Sequence, residues 1–367
     1  MSDAKLRKRK NRNWEYLAED GRWKSTGMTT FIEAKMWLKT NSKICISDNV
    51  ASFARYIINS REDDSFYATC KMTNRYIHEE WWNTSENRVE RYIVPAFKSK
   101  TLDSVTPIDV QKWYMNLNSL STGKLAGNSK NKILALFSII MDQAVFYGYI
   151  NDNPCKKITK IRARDNHRTP FSDDELKRLF PENRMKLISI YGNLMWACYF
   201  LIARDTGWRP GEIAGLTVEG LYLDRHGIYT EQSIDSFSKK VQDSVKTSFS
   251  GGYNYRVGII SEFTSRMLKE YITENNIKSG LVFRSKGKRK VITSDTSRVH
   301  FNLALERVGI EKNGRSPYAL RTTFFTKKAN KLDEEVLKEL MGHTKWRNCY
   351  DQRSPEEIID KISGLTR

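Results

Sequence analysis

Residues 151–169 set the first constraint on this chain. The stretch holds Pro154 and the basic side chains Lys156, Lys157, Lys160, Arg162, Arg164 and Arg168, with few apolar residues between them. Such a segment cannot enter a hydrophobic core, so the apolar patterns on its two sides must close over separate cores. At 367 residues the chain is long enough for two of them and a small extra module. A hydrophobic share of 39%, with only 8 prolines and 20 glycines, reads as globular on both sides.

Upstream of the break, from about Asp48 to Cys155, the periodicity is helical throughout. Phe53, Tyr56 and Ile57 share one face, and Tyr76, Ile77, Trp81 and Trp82 form a second run. Arg91 to Phe97 makes a third, interrupted by Pro95. Thr106-Pro107 opens a helix that carries Val110, Trp113, Tyr114 and Leu117. Asn128 to Tyr149 is the clearest pattern, with Ile133, Leu134, Phe137, Ile140, Met141, Ala144 and Val145 at three-to-four spacing and Lys130 and Lys132 on its polar side. Ahead of this domain, residues 5–12 hold six basic residues in eight, a mobile arm suited to phosphate contacts. Trp14 to Tyr16 and Trp23 to Lys24 flank a Glu19-Asp20-Gly21 turn as a hairpin. Thr30 then caps a helix with Ala34, Trp37 and Leu38 on one face.

Downstream of the break, Ser172 and Glu175 form a capping box, and helices run to Leu216 with a strongly apolar Ala197–Ala203. Gly220 to Thr230 and Tyr253 to Ile260 read as strands, and Leu281-Val282-Phe283 is strand-like. Helices return from Glu262 to the end. The chain therefore divides into 1–45, a small sheet-plus-helix module; 48–155, a helical domain; 156–168, a basic linker; and 169–367, a mainly helical domain with a small antiparallel sheet.

Charge points to the partner. Sixty-two basic against 43 acidic residues leave +19. Duplex DNA carries one negative charge per about 1.7 Å of axis, so a surplus of this size points to nucleic acid as the ligand. The five cysteines stand far apart with no Cys-x-x-Cys pair, and none of the five histidines forms His-x-x-x-His. Reduced thiols, no metal and no cofactor are expected. No stretch approaches about 18 consecutive apolar residues and the N-terminus lacks an apolar signal core, so the expected location is cytoplasmic, on the nucleoid and not at a membrane.

The chemistry lies near the end. Ser316-Pro317-Tyr318-Ala319-Leu320-Arg321 is followed by Met341-Gly342-His343 and then Tyr350. Arg321 can grip a phosphate with its planar fork, His343 can donate or accept a proton, and Tyr350 can act as nucleophile. Tyr350 is the only tyrosine after His343.

Earlier in the chain stands Asp205-Thr206-Gly207-Trp208-Arg209-Pro210-Gly211-Glu212-Ile213-Ala214-Gly215-Leu216. It resembles the first arginine motif of the tyrosine recombinases, T-G-x-R-x-x-E-x-x-x-L, with all five defining positions filled by Thr206, Gly207, Arg209, Glu212 and Leu216. Leu320-Arg321, Gly342-His343 and Tyr350 resemble the remaining boxes of that family, in order. The resemblance covers roughly residues 169–360 by motif and reaches the preceding helical domain by layout. It implies a helical core-binding domain and an α/β catalytic domain clamped around the duplex through the basic linker. It also implies a site-specific recombinase or integrase of a phage or mobile element.

Each residue then takes an implied role. Arg209 and Arg321 hold the non-bridging oxygens of the scissile phosphate, Glu212 orients or packs, and Tyr350 forms a 3′-phosphotyrosine. The family protonates the leaving 5′-oxygen from a hairpin lysine. Val245-Lys246-Thr247 matches it through Lys246, with Lys239 and Lys240 as rivals. Lys130, Lys132, Lys156, Lys157, Lys160, Arg162 and Arg164 are expected on DNA, with Asn128–Tyr149 reaching the major groove. Residues 1–45 resemble an arm-site module. Two departures stand out: Tyr318 occupies the usual histidine position, which shifts proton transfer to His343, and His343 lies only seven residues before Tyr350. A homotetramer on DNA, with possible accessory DNA-bending proteins, is the implied assembly. Ile358, Ile359, Ile362 and Leu365 form an apolar stripe that either docks on a neighbour or folds back. The alternative functions are a DNA-binding protein of this fold with weak or lost catalysis, and a type IB topoisomerase or resolvase.

Overall fold

The computed structural model describes residues 6–8, 13–17, 23–30, 48–63, 65–73, 75, 78–118, 123–162, 169–236, 238–242, 245, 255–285, 291–329, 331–341 and 355–366. Two compact units divide the chain between Asp165 and Asn166.

The first unit begins with an antiparallel sheet of β1 (Leu6–Lys8), β2 (Trp14–Leu17) and β3 (Trp23–Ser25), in that order. Pairing of Tyr16 with Lys24 places the expected hairpin, and β1 adds a third strand from the basic arm. That addition follows from the side chains. The Arg7 guanidinium lies 4.0 Å above the Trp23 ring and donates to Glu15 at 2.8 Å, so aromatic strands give a basic segment a surface to lie on. The helix expected after Thr30 falls outside the described residues, as does most of the 5–12 arm.

The helical part of this unit comprises α1 (Val50–Asn59), α2 (Phe66–Met72), α3 (Glu79–Arg88), α4 (Val94–Phe97), α5 (Pro107–Met115) and α6 (Gly127–Phe146). Asn49 starts α1 by accepting from the Ala51 and Ser52 amides and ties it to the next layer by donating to the Lys98 carbonyl at 2.8 Å. Thr106 and Asp109 form a reciprocal capping box at α5. The apolar faces meet in one core of Phe53, Ile57, Trp82, Phe97, Tyr114, Phe137 and Ile140. Phe97 stacks on Phe137 at 4.8 Å. Tyr76 and Ile77 lie outside the described residues.

Two expectations need correction here. Pro95 does not interrupt the helix. The five residues Val89–Ile93 widen into a π-turn, and the Val94 amide reaches back to the Val89 carbonyl, so α3 runs into α4 around the missing proline donor. The start of the linker is also not a free connector. Cys155 and Ile158 are buried in the helical core, Asn153 caps the turn Pro154–Lys157, and the Ile161 amide donates to the Tyr114 hydroxyl at 2.8 Å. Two apolar side chains among many charges sufficed to dock it.

The second unit opens with α7 (Asp173–Leu179), whose Ser172–Glu175 capping box forms. The buried Arg315 grips Glu175 with both terminal nitrogens at 2.9 and 2.7 Å and lies 4.4 Å over Phe171. After α8 (Arg184–Tyr191) comes α9 (Leu194–Thr206), buried nearly all round. Such a helix belongs at the centre of a core. It packs against α8, α11 (Glu262–Glu274) and α13 (Tyr318–Lys328). The short α10 (Pro210–Ala214) follows, and α12 (Ser294–Arg307) packs beside α8.

Two small antiparallel sheets flank this core. One has the order β4 (Leu221–Tyr222), β5 (Gly227–Thr230), β8 (Arg256–Ile259), and the other pairs β6 (Ser233–Ile234) with β7 (Val241–Gln242). Gly220–Thr230 is therefore a hairpin rather than one strand, because Leu223–Arg225 turns and His226 takes a left-handed φ of 54°. Leu281–Phe283 is no strand. Leu281 makes a single bridge to Thr217, and Val282 and Phe283 are buried apolar plugs. The chain closes with α14 (Glu334–Met341) and α15 (Pro355–Thr366). Ile358 and Ile359 of α15 are covered within their own chain by Val257, Phe324, Leu337 and Leu340. Gly227 permits that packing, since a Cβ there would lie 2.5 Å from Ile359. The side chains of Ile362 and Leu365 lie outside the described set. Among the described residues, no single helix is long and apolar enough to cross a membrane.

Candidate active site

The arginine motif works as a sequence of local devices. Thr206 ends α9 by donating to the Ile202 carbonyl and accepting from the Trp208 amide. Gly207 then reverses the chain at φ 62°, a conformation that disfavours any residue with a Cβ. Trp208, 2% exposed, anchors the turn by donating its indole N–H to the Val257 carbonyl of β8. This leaves Arg209 at the head of α10, where Pro210 fits the first helical position. Glu212, one turn on, accepts the Arg209 amide through Oε2 and the Arg209 guanidinium through Oε1, both at 2.8 Å. One carboxylate thus caps the helix and holds the arginine fork.

The second arginine comes from another helix. Arg321, on α13 and 2% exposed, donates to the Gly207 carbonyl at 2.8 Å. The left-handed turn that positions Arg209 therefore also seats Arg321. Tyr318 stands one helical turn before Arg321 and is 36% exposed.

A third guanidinium joins them. Arg256 begins β8 and is 3% exposed; its Nε lies 3.6 Å from Glu212 Oε1, and it donates to the Leu340 carbonyl at 3.0 Å. Sequence reading gave Arg256 no role. The available signal was alternation along Arg256-Val257-Gly258-Ile259. Val257 and Ile259 pack towards α15, so Arg256 and Gly258 face the motif, and a Cβ at Gly258 would lie 2.6 Å from Thr206.

Electrostatically, three guanidinium groups surround one carboxylate. Burial alone would push the Glu212 carboxyl up, but Arg256 and Arg209 hold it below its ordinary value. Burial, then crowding by Arg209 and Arg256, lowers Arg321 to about 10, still charged at neutral pH. The site keeps a surplus of positive charge in a poorly solvated place and is ready for an anion.

Of the other anticipated residues, Lys246, His343, Tyr350 and Arg164 fall outside the described residues. Lys239 and Lys240 belong to the turn that joins β6 to β7, with Lys239 at φ 56°. On the first unit, Lys132, Lys157, Lys160 and Arg162 are exposed. Lys156 is exposed but paired with Asp142 at 2.8 Å, and half-buried Lys130 donates to the Met115 carbonyl at the end of α5.

The sequence profile of the phage integrase family matches residues 171–350, and that of the phage integrase N-terminal SAM-like domain matches residues 71–118. No curated protein matches. Among solved structures, the integrase of the Tn1549 transposon in complex with circular intermediate DNA superposes with a TM-score of 0.61 at 14% identity, over 82% of this chain and 98% of that one. A lambda integrase tetramer bound to a Holliday junction gives 0.53 at 14% identity, over 94% and 97%. At such identities the likeness is one of fold. The two family profiles, the first of which spans the arginine motif and Arg321, place the chain in the phage integrase family of tyrosine recombinases.

Proposed function

We propose that Tyr350 is the nucleophile with which this site-specific recombinase cleaves and rejoins DNA, and that Arg209 and Arg321 clamp the scissile phosphate. The observation that carries the reading is the surplus of guanidinium charge around Glu212. Its geometry suits a phosphate, whose non-bridging oxygens gain charge in the transition state. Loss of one such preorganised donor costs about 10²–10³ in rate.

In the reaction the Tyr350 oxygen attacks phosphorus while its proton passes to His343. At an ordinary pKa near 10, only about one phenol in a thousand is ionised at pH 7, so a proton acceptor and the arginine field both matter. The bond to the 5′-oxygen breaks, and Lys246 supplies its proton. A 3′-phosphotyrosine and a free 5′-hydroxyl result. Attack by the 5′-hydroxyl of a partner strand then releases Tyr350 and returns the protons. Tyr318 donates a hydrogen bond to the phosphate and leaves base catalysis to His343. No metal takes part.

The helical domain, residues 48–155, and the catalytic domain, residues 169–367, grip the duplex through Lys130, Lys132, Lys156, Lys157, Lys160, Arg162 and Arg164, while residues 1–45 bind separate arm sites. Recombination joins two sites with two strands each, so the working assembly is a homotetramer on DNA in the cytoplasm, acting at the nucleoid, with accessory DNA-bending proteins where sites are distant. The test is a nicked suicide duplex carrying the direct repeat that flanks the coding region. Wild type is expected to form a covalent adduct stable to boiling in detergent, and Tyr350→Phe none. Absence of an adduct from wild type on this repeat would overturn the reading. Relaxation of supercoiled plasmid without sequence preference would instead mark a topoisomerase.

A further inference from the structure

Arg256 is the one member of the cluster that the phosphate clamp does not use. Three features set it apart from an ordinary core residue. It is 3% exposed, yet an apolar side chain would fill the same place without the cost of desolvating a charge. Its Nε has no hydrogen bond and faces Glu212 Oε1 at 3.6 Å, the same oxygen that accepts Arg209 at 2.8 Å. Its other end donates to the Leu340 carbonyl in the last turn of α14, the turn from which the chain continues to Gly342 and His343.

We infer that Arg256 is a positioning residue for strand cleavage, setting Arg209 through Glu212 and fixing the end of α14 from which His343 departs. Glu212 is pulled from two sides. The cation at Arg256 keeps its carboxylate ionised and seated, so the Arg209 fork is aimed before DNA arrives. A neutral residue at 256 would leave Glu212 to Arg209 and Arg321, and a phosphate drawing on Arg209 would then have to pull against a stronger claim on that one fork. The Leu340 contact adds a polar tie between β8 and the end of α14, beside the packing of Val257 on Leu337 and Leu340. The inference rests on the proposed recombinase chemistry and adds to it a residue that touches neither DNA nor the reacting atoms.

The test compares wild type with Arg256→Lys on the same nicked duplex, measuring DNA affinity by anisotropy and the single-turnover cleavage rate at saturating DNA. Lysine keeps the charge but replaces the planar fork, whose Nε faces Glu212 while a terminal nitrogen holds Leu340, with a single ammonium nitrogen. Affinity is expected to stay within about twofold while cleavage slows about 100-fold, the scale of a misplacement of about 1 Å. A second duplex replaces the scissile phosphate with a neutral methylphosphonate, which lacks the charge that Arg209 grips. On it the deficit is expected to shrink at least tenfold, whereas a general loss of structure would slow both substrates alike. Wild-type cleavage by Arg256→Lys, or an equal deficit on both duplexes, overturns the inference while the recombinase reading stands. Should Arg256→Lys lose its fold, Arg256→Gln takes its place, since it keeps a donor for the Leu340 carbonyl and removes the cation that faces Glu212, and the same two outcomes decide. If wild type itself forms no adduct, the recombinase reading falls and takes the inference with it.

Discussion

Substitution of Gly207 by alanine should damage both stability and catalysis, and the size of the effect follows from two contacts. Gly207 ends α9 at φ 62°, where an L-residue with a Cβ loses about 1–2 kcal/mol. The added Cβ would sit 2.9 Å from Phe324 Cδ1 and 3.0 Å from its Cβ and Cγ, all closer than van der Waals contact allows. Phe324 is 6% exposed and packs with Val257, Leu337 and Ile358, so it has little room to retreat. Overpacking of this kind costs about 1–3 kcal/mol. Together the penalties come to about 2–5 kcal/mol, from a total that for a domain is about 5–15 kcal/mol. Scanning calorimetry should show the catalytic-domain transition lowered by roughly 6–12 °C for a mid-range loss of about 3 kcal/mol. Activity should fall further than stability. The carbonyl that shifts is the one holding Arg321 at 2.8 Å, and a misplacement of about 1 Å in a clamp costs about 100-fold in rate. Adduct formation measured well below the transition separates the two effects. A variant within about 0.5 kcal/mol of wild type, a change typical of inconsequential surface substitutions, would refute this account of the turn.

Two further outcomes are expected. The Glu175 carboxyl is held down to about 2 by the Arg315 fork and the Ser172 amide. Its contribution is present above the unfolded value of about 4.3 and is lost as pH falls from there towards 2; acid titration of Glu175→Gln should lack the part of the stability slope that wild type shows in that window. Burial raises the Cys70 thiol to about 11, the Cys155 thiol to about 12 and the Cys198 thiol well above its ordinary value. Brief iodoacetamide treatment at pH 8 should leave all three unmodified by peptide mass spectrometry until the protein is denatured; rapid labelling of native Cys198 would contradict its place in the core.

What the sequence determined by itself lies mostly within a turn of helix. The Thr106-Pro107 helix start, the capping box at Ser172–Glu175, the stripe of α6 and the spacing of Thr206, Gly207, Arg209 and Glu212 involve partners within four residues of one another. Such interactions are fixed once the local conformation is fixed, so spacing reveals them. The same locality misled at Pro95, where the rule for a proline in a helix is sound but five residues upstream could widen and absorb it.

Only the tertiary structure decided the rest. Gly220–Thr230 became a hairpin and Leu281–Phe283 a buried plug because packing, not β-propensity, chooses among apolar runs. The basic stretch after Asn153 docked through Cys155 and Ile158, two side chains that composition alone averages away. Arg321 reaches a carbonyl 114 residues earlier, and Arg256 one 84 residues later. Whether an arginine is a solvated surface charge or a buried clamp depends on which distant groups remove its water. Sequence can nominate the charged residues of this site; the fold alone decides which of them are desolvated, and desolvation is what makes their charge matter.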